Sequence, residues 1–409
     1  MNDLVLRSGR LWGRTGTEDV VVRDGRIAGI LTPGDRIPGA GPGTTPPATG
    51  ESGAGESGAR EIDAGDRIVL PGLINAHCHI DKTIWGGPWV PNTAGTELHG
   101  MIGNGRRRRA ELGIPHEGRM AGLLADMAAA GTTHVRTHTD VDPDIGLSGV
   151  EAVMAAAERV AGSLTVEQVA FPQSGLLVEG DTVELMEAAL RMGVQTIGGL
   201  DPAGVDGDPV AHLDVVFGLA EKHGAKVDIH LHDGGTLGLW QVGLIAERTK
   251  ALSLQGRVAI SHAFAIGEEP RPQQERIADL LAGAGMALFT CAGFSDPIPS
   301  PAVMRAAGVP MGLGTDGIRD LWSPYGSADM LVRVGQLAVR SGFKSEEEIE
   351  LALWTATEGA AAALGLEEYG LRVGAPADFT VVDGASAAHA VVEHAPRRHV
   401  VKAGLPLAL

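Results

Sequence analysis

Short apolar, β-branched runs recur along the chain and alternate with longer stretches of helical periodicity. The runs are residues 68–79, 133–138, 166–172, 194–199, 226–232, 257–262, 286–291 and 310–316. Between them lie segments such as EAVMAAAERVAG, TVELMEAALRMG, DVVFGLAEKHG and ERIADLLAGAG, apolar at i, i+3 and i+4 and closed by glycine. That spacing predicts amphipathic helices with glycine stops. Eight strand–helix repeats in one run predict a (β/α)8 TIM barrel. An open doubly wound sheet is the alternative, but the Gly-rich phosphate fingerprint of that fold is missing. Residues 3–30 alternate in short β-rich runs parted by Gly- and Asp-bearing turns. After LALWTATEGAAAALGL, which reads as one helix, the chain returns to strands in GLRVGAPADFTVVDG and HVVKAGLPL. The two β-rich ends should pair as a small β-sandwich. The expected division is residues 1–66 and 367–409 for the sandwich and 67–366 for the barrel. Residues 32–60 are rich in Gly, Pro, Thr and Ser and predict a flexible loop.

Composition narrows the class. A chain of 409 residues, 44% hydrophobic, suits one barrel plus a small accessory domain. No window reaches the ~18–20 apolar residues of a membrane helix, and the start does not read as a signal peptide. Two cysteines, Cys78 and Cys291, fit a reducing cytoplasm rather than a disulfide framework. A net charge of −18 disfavours nucleic acid and anionic membrane as partners. The one basic cluster, Arg106 to Arg109, reads as a solvated helix start.

Polar residues crowd the C-terminal ends of the strands, the face where barrel enzymes do chemistry. Strand one ends in His77-Cys78-His79, where alternation puts both imidazoles on one side. Strand five ends in His230-Leu231-His232-Asp233, strand six in Ser261-His262 and strand eight in Thr315-Asp316. One His-x-His alone is more often incidental than metal-binding, and a lone strand-end Asp is usually a cap. Four such elements on the right strands of one barrel point instead to imidazoles and a carboxylate around one Zn²⁺ or Fe²⁺.

These residues carry a resemblance. PGLINAHCHIDKT resembles the strand-one signature of the amidohydrolase superfamily, and GLRVGAPADFTVVD resembles its C-terminal sheet. THVRTHTDVD and VAFPQSG are similar to the cytosine deaminase branch. HLHDGGTLG, GRVAISHAF, LFTC and LGTDGIRDLWSPYG are closer to triazine-ring aminohydrolases. The resemblance implies a metal-dependent hydrolase of a C–N bond in an aminated, oxo-substituted pyrimidine- or triazine-type ring. It makes His77, His79, His230 and Asp316 the metal ligands. VQTIGGL in strand four has no lysine that could be carboxylated to bridge a second ion, so one divalent ion per chain is expected, Zn²⁺ before Fe²⁺. The resemblance gives His262 and Asp316 the attacking water and Asp233 the proton transfer to the leaving amine. Lys82, Gln173 and Trp322 would hold the ring. The expected partners are the small heterocycle and further copies of the chain. Asp233 stands where cytosine deaminases carry Glu, and Gly317 where they carry a second Asp. Both changes argue against cytosine itself, which with cyclic amide hydrolysis or a non-catalytic metal-binding barrel makes up the alternatives. His138 and Asp140 lie near the mouth, but packing is the better reading for them.

Overall fold

The computed structural model describes residues 3–35, 60–93, 95 and 97–408. Most of the expected 32–60 loop therefore lies outside the described residues. Eight strands run parallel in chain order: β1 (Leu73–His79), β2 (Thr132–Asp140), β3 (Thr165–Phe171), β4 (Thr196–Leu200), β5 (Lys226–Leu231), β6 (Val258–His262), β7 (Ala287–Thr290) and β8 (Met311–Leu313). Each pairs with the next through β8. Two residues beyond β8, Asp316–Gly317 pairs in parallel with β1, matching Asp316 to Cys78 and Gly317 to His79. The sheet therefore curls until one continuous stretch touches both of its edges, as in a (β/α)8 barrel. Gly314 permits that approach, because a Cβ there would lie 2.1 Å from the His77 carbonyl oxygen.

The helices bury one face against the strands because their apolar residues recur once per turn. Pro209–His223 starts on Asp208, whose side chain accepts from the Ala211 N–H, and stops at Gly224 in left-handed conformation. Its Leu213, Val216, Phe217 and Ala220 join Ile197, Val227 and Ile229 in one core cluster.

Two elements differ from expectation. Residues 68–79 form two strands, Ile68–Pro71 and β1, parted at Gly72. A Cβ on Gly72 would lie 2.4 Å from Thr133, so this close crossing turns the chain from one sheet into the other. LALWTATEGAAAALGL is also two elements, Glu346–Trp354 and Glu358–Leu364. Between them the Thr355 carbonyl accepts from Leu313 N–H at 2.7 Å and the Ala356 carbonyl from Ile74 N–H at 2.9 Å. Interrupting the helix frees two carbonyls that tie β8 and β1 from outside.

The chain ends do pair. Leu405–Pro406, Arg397–Lys402, Phe379–Val382, Ile68–Pro71, Leu4–Leu11, Glu18–Arg23 and Arg26–Leu31 follow one another in a single connected path, with Arg60–Asp63 added beside Leu4–Leu11. Leu4, Val20, Ile62, Phe379 and Val401 share one buried cluster, so both termini contribute to the same small core. Among the described residues no helix is long and apolar enough to cross a membrane.

Candidate functional site

The C-terminal ends of the parallel strands open into a cavity of about 380 Å³ whose wall includes His79, His230, His232, His262, Asp316, Lys82, Gln173, Trp322 and Asp320. Alternation along β1 sends His77 and His79 inward, while Cys78 turns out and its thiol donates to the Arg136 carbonyl at 3.4 Å. Both cysteines are free and buried.

The expected ligands meet. Asp316 Oδ1 lies 3.7 Å from His77 Nε2 and 3.4 Å from His79 Nε2, and His230 Nε2 lies 3.3 Å from His79 Nε2. Donor atoms at ~2.0–2.1 Å from a tetrahedral ion stand ~3.3–3.4 Å apart, so these spacings fit a small divalent cation. The electrostatics agree. Burial first, then the charge of neighbouring imidazoles, pushes His77 and His230 well below the ordinary histidine range. Neutral rings keep the lone pairs that a metal needs. His77 Nε2 and His262 Nε2 are buried without a hydrogen-bond partner. His77 Nδ1 meets Ser261 Oγ at 2.9 Å, and that hydroxyl donates to Asp228 Oδ1 at 2.6 Å. A hydroxyl already donating must accept from the imidazole, which places the hydrogen on Nδ1 and aims Nε2 at the cluster. Possible ligand atoms of Cys291 and His262 also fall within 4.8 Å of those of His77 and Asp316, and those of His138 within 4.8 Å of His77 and His230.

Two residues of the site also carry backbone strain, which other turns of the described chain share. His262 has φ 69° and Asp316 φ 61°, both left-handed for side-chain-bearing residues, a conformation that costs ~1–3 kcal/mol and clusters at functional sites.

Lys82, Gln173 and Trp322 lie together at the cavity wall. Lys82 Nζ donates to Gln173 Oε1 at 2.5 Å and to Asp140 Oδ1 at 2.9 Å, and lies 5.5 Å from the Phe171 and Trp322 ring centres. Burial alone would lower its pKa, but Asp140 and Asp81 outweigh it and hold the ammonium charged. Asp140 is thus the partner of Lys82 rather than packing.

Asp233 does not join them. Its Oδ2 accepts from Gln241 Nε2 at 2.8 Å and from the Gly204 N–H at 3.1 Å, and it does not line the cavity. β5 ends at Leu231 and the backbone turns into the helix Gly235–Ala251, so Asp233 bonds to Gln241 and Gly204 instead of facing the cavity. His232 lines the cavity in its place. Its Nδ1 meets Asp201 Oδ2 at 2.7 Å, and Asp201, opposing the effect of burial, raises its pKa. The His-Leu-His alternation on β5 repeats that of β1 and carries this signal.

Asp320 was not anticipated either. Only 4% exposed, it lines the cavity, and its Oδ1 accepts from the Trp322 and Ser323 N–H groups, both at 2.8 Å. Burial pushes its carboxyl up to about 6 against those bonds and Lys82. The basic cluster also departs from expectation. It closes the helix Leu98–Arg108 instead of starting one, which suits the helix dipole. Arg109 forms a two-pronged pair with Asp142 at 2.7 and 2.8 Å, and Arg106 reaches Asp144 and Glu179.

Comparison with known proteins places this architecture. The amidohydrolase family pattern matches residues 116–408. The chain belongs to the amidohydrolase family. Within it, the chain is 31% identical over 355 residues to N-isopropylammelide isopropyl amidohydrolase of Pseudomonas sp. (strain ADP), covering 84% of this chain and 87% of that one. The crystal structure of N-isopropylammelide isopropylaminohydrolase from Burkholderia multivorans ATCC 17616 superposes with a TM-score of 0.91 at 39% identity, over 100% of this chain and 98% of that one. The 5-methylcytosine deaminase of Klebsiella pneumoniae with 5-fluorocytosine shares the fold, with a TM-score of 0.82 at 23% identity over 99% and 97%. This amidohydrolase is thus an enzyme acting on carbon–nitrogen bonds, and these relatives are named as amidohydrolase, aminohydrolase and deaminase.

Proposed function

We propose that this amidohydrolase hydrolyses an exocyclic C–N bond of an aminated, oxo-substituted six-membered N-heterocycle, releasing ammonia or a small alkylamine. The observation that carries it is the shared cavity, lined both by the charged Lys82 and by His79, His230 and Asp316, to which His77 is adjacent. We take residues 67–366, less Ile68–Pro71, which pairs within the sheet of the chain ends, as the barrel, and the two chain ends with that strand as its small β domain.

His77, His79, His230 and Asp316 would hold one divalent ion, Zn²⁺ or Fe²⁺. When bound, that ion supplies a water activated near neutral pH and polarises the ring. His262 and Asp316 would accept the proton of the attacking water. His232, held in one tautomer by Asp201, would give a proton to the leaving amine, work worth ~10²–10⁴-fold. Lys82 and Gln173 position the ring carbonyls. A partly desolvated ammonium favours an anionic, carbonyl-rich ring over neutral cytosine. The similarity to the isopropylammelide enzymes supports the same ring class.

A panel of aminated oxo-triazines, oxo-pyrimidines and cytosine tests the reading through the amines released. Turnover of oxo-rich rings is expected, with cytosine poor and Lys82→Met raising KM while the bound metal stays. Robust cytosine turnover with Lys82→Met indifferent would overturn the substrate assignment.

A further inference from the structure

The carboxylate of Asp320 has two differently used oxygens. Oδ1 is held by the Trp322 and Ser323 N–H groups. Oδ2 stands over Gly317, where a Cβ would come within 2.0 Å of it. A side chain on residue 317 would displace Oδ2, so glycine at that position is what allows this placement. The side chain lines the same cavity as Lys82, and each feels the other's charge. Lys82 has three hydrogens, of which Asp140 and Gln173 take two, leaving one donor for a ligand.

A donor and an acceptor on side chains that line one cavity match a ring edge that presents the complementary pair, a carbonyl oxygen beside an N–H. We infer that Asp320 and Lys82 together read a lactam edge of the substrate ring, with Asp320 Oδ2 accepting the ring N–H and Lys82 donating to the neighbouring carbonyl. Asp320 is then a specificity-determining residue, and the substrate class narrows to rings that carry an unsubstituted –C(=O)–NH– edge. A site built to pair a ligand N–H rejects the analogue that lacks it, because the buried acceptor is left unpaired. The inference rests on the C–N hydrolase reading only for why such a ring enters the cavity, and the contact can be tested without turnover.

The test uses the metal-loaded full chain and binding calorimetry with two probes. Cyanuric acid repeats the carbonyl/N–H edge around its ring. Its N,N′,N″-trimethyl derivative keeps the carbonyls and lacks every N–H. The wild-type chain should prefer cyanuric acid. Asp320→Asn should weaken cyanuric acid binding by roughly 10–100-fold, as expected for loss of a charge-assisted hydrogen bond, and leave the trimethyl probe and the metal content unchanged. Gly317→Ala keeps every charge but crowds Oδ2, and should reduce the same preference if Asp320→Asn fails to fold. Equal losses for both probes, or an unchanged preference in either folded variant, would overturn the inference. If no ring is hydrolysed yet the Asp320-dependent preference is found, the proposed reaction fails and this contact stands. If rings are hydrolysed without that preference, only the contact fails.

Discussion

Neighbouring residues at the end of β5 have opposite fates. His232 keeps the inward side of the strand, while Asp233, one peptide later, falls where the chain turns away and bonds to Gln241 and Gly204. Counting three residues from His230 points to Asp233, whereas the period of the strand points to His232. The geometry favours the strand period. His232→Gln should keep the metal and lose kcat by ~10²-fold or more, as loss of a general acid does. Asp233→Asn should stay within a few-fold of the parent. Metal analysis and steady-state kinetics on both variants check this, and the reverse order would return the proton transfer to Asp233. The donor residues were legible because alternation along β1 and the endings of β5 and β8 place them without tertiary information. Asp320 was not, because its position depends on the turn through Trp322 and Ser323 and on the space above Gly317.

At the scale of elements, periodicity located strands and helices but not their interruptions. The break between Glu346–Trp354 and Glu358–Leu364 serves two backbone N–H groups on β8 and β1, a demand no local pattern encodes. The helix Leu98–Arg108 shows the same limit. Its arginines read as solvated until Asp142 and Asp144, from the turn that follows β2, come to meet them. Asp142 is 1% exposed. Burial alone would raise its carboxyl, but Arg109 outweighs burial and holds it below the ordinary range. A depressed folded-state pKa contributes stability that is present above the unfolded value of ~3.9 and is lost as pH falls through the lowered folded value. Breaking a buried pair from one side costs about 3–5 kcal/mol. Asp142→Asn should therefore be destabilised by that order in urea unfolding at neutral pH, and the gap to the parent should narrow as pH drops below ~4. A gap independent of pH would show that the pair does not act as charges.

At the scale of the whole molecule, the regular part of the fold was the readable part. Eight strand–helix repeats announce themselves by period, whereas Gly72 divides one apolar run between two sheets for a reason visible only where Thr133 crosses it. Pairing of the chain ends was readable in kind, since both carry short β-rich runs, while the single connected path they form depends on Leu4–Leu11 bonding on both sides. The central claim is that one divalent ion at the mouth of this curled sheet drives C–N hydrolysis. Its most direct test is to measure metal content and amine release together, on the chain as purified without added metal, after chelation, and after stepwise return of Zn²⁺ or Fe²⁺. Close to one equivalent per chain is expected, with amine release rising in proportion to the fraction loaded and His79→Ala losing both. A reproducible two equivalents, or amine release that survives complete removal of metal, would contradict it.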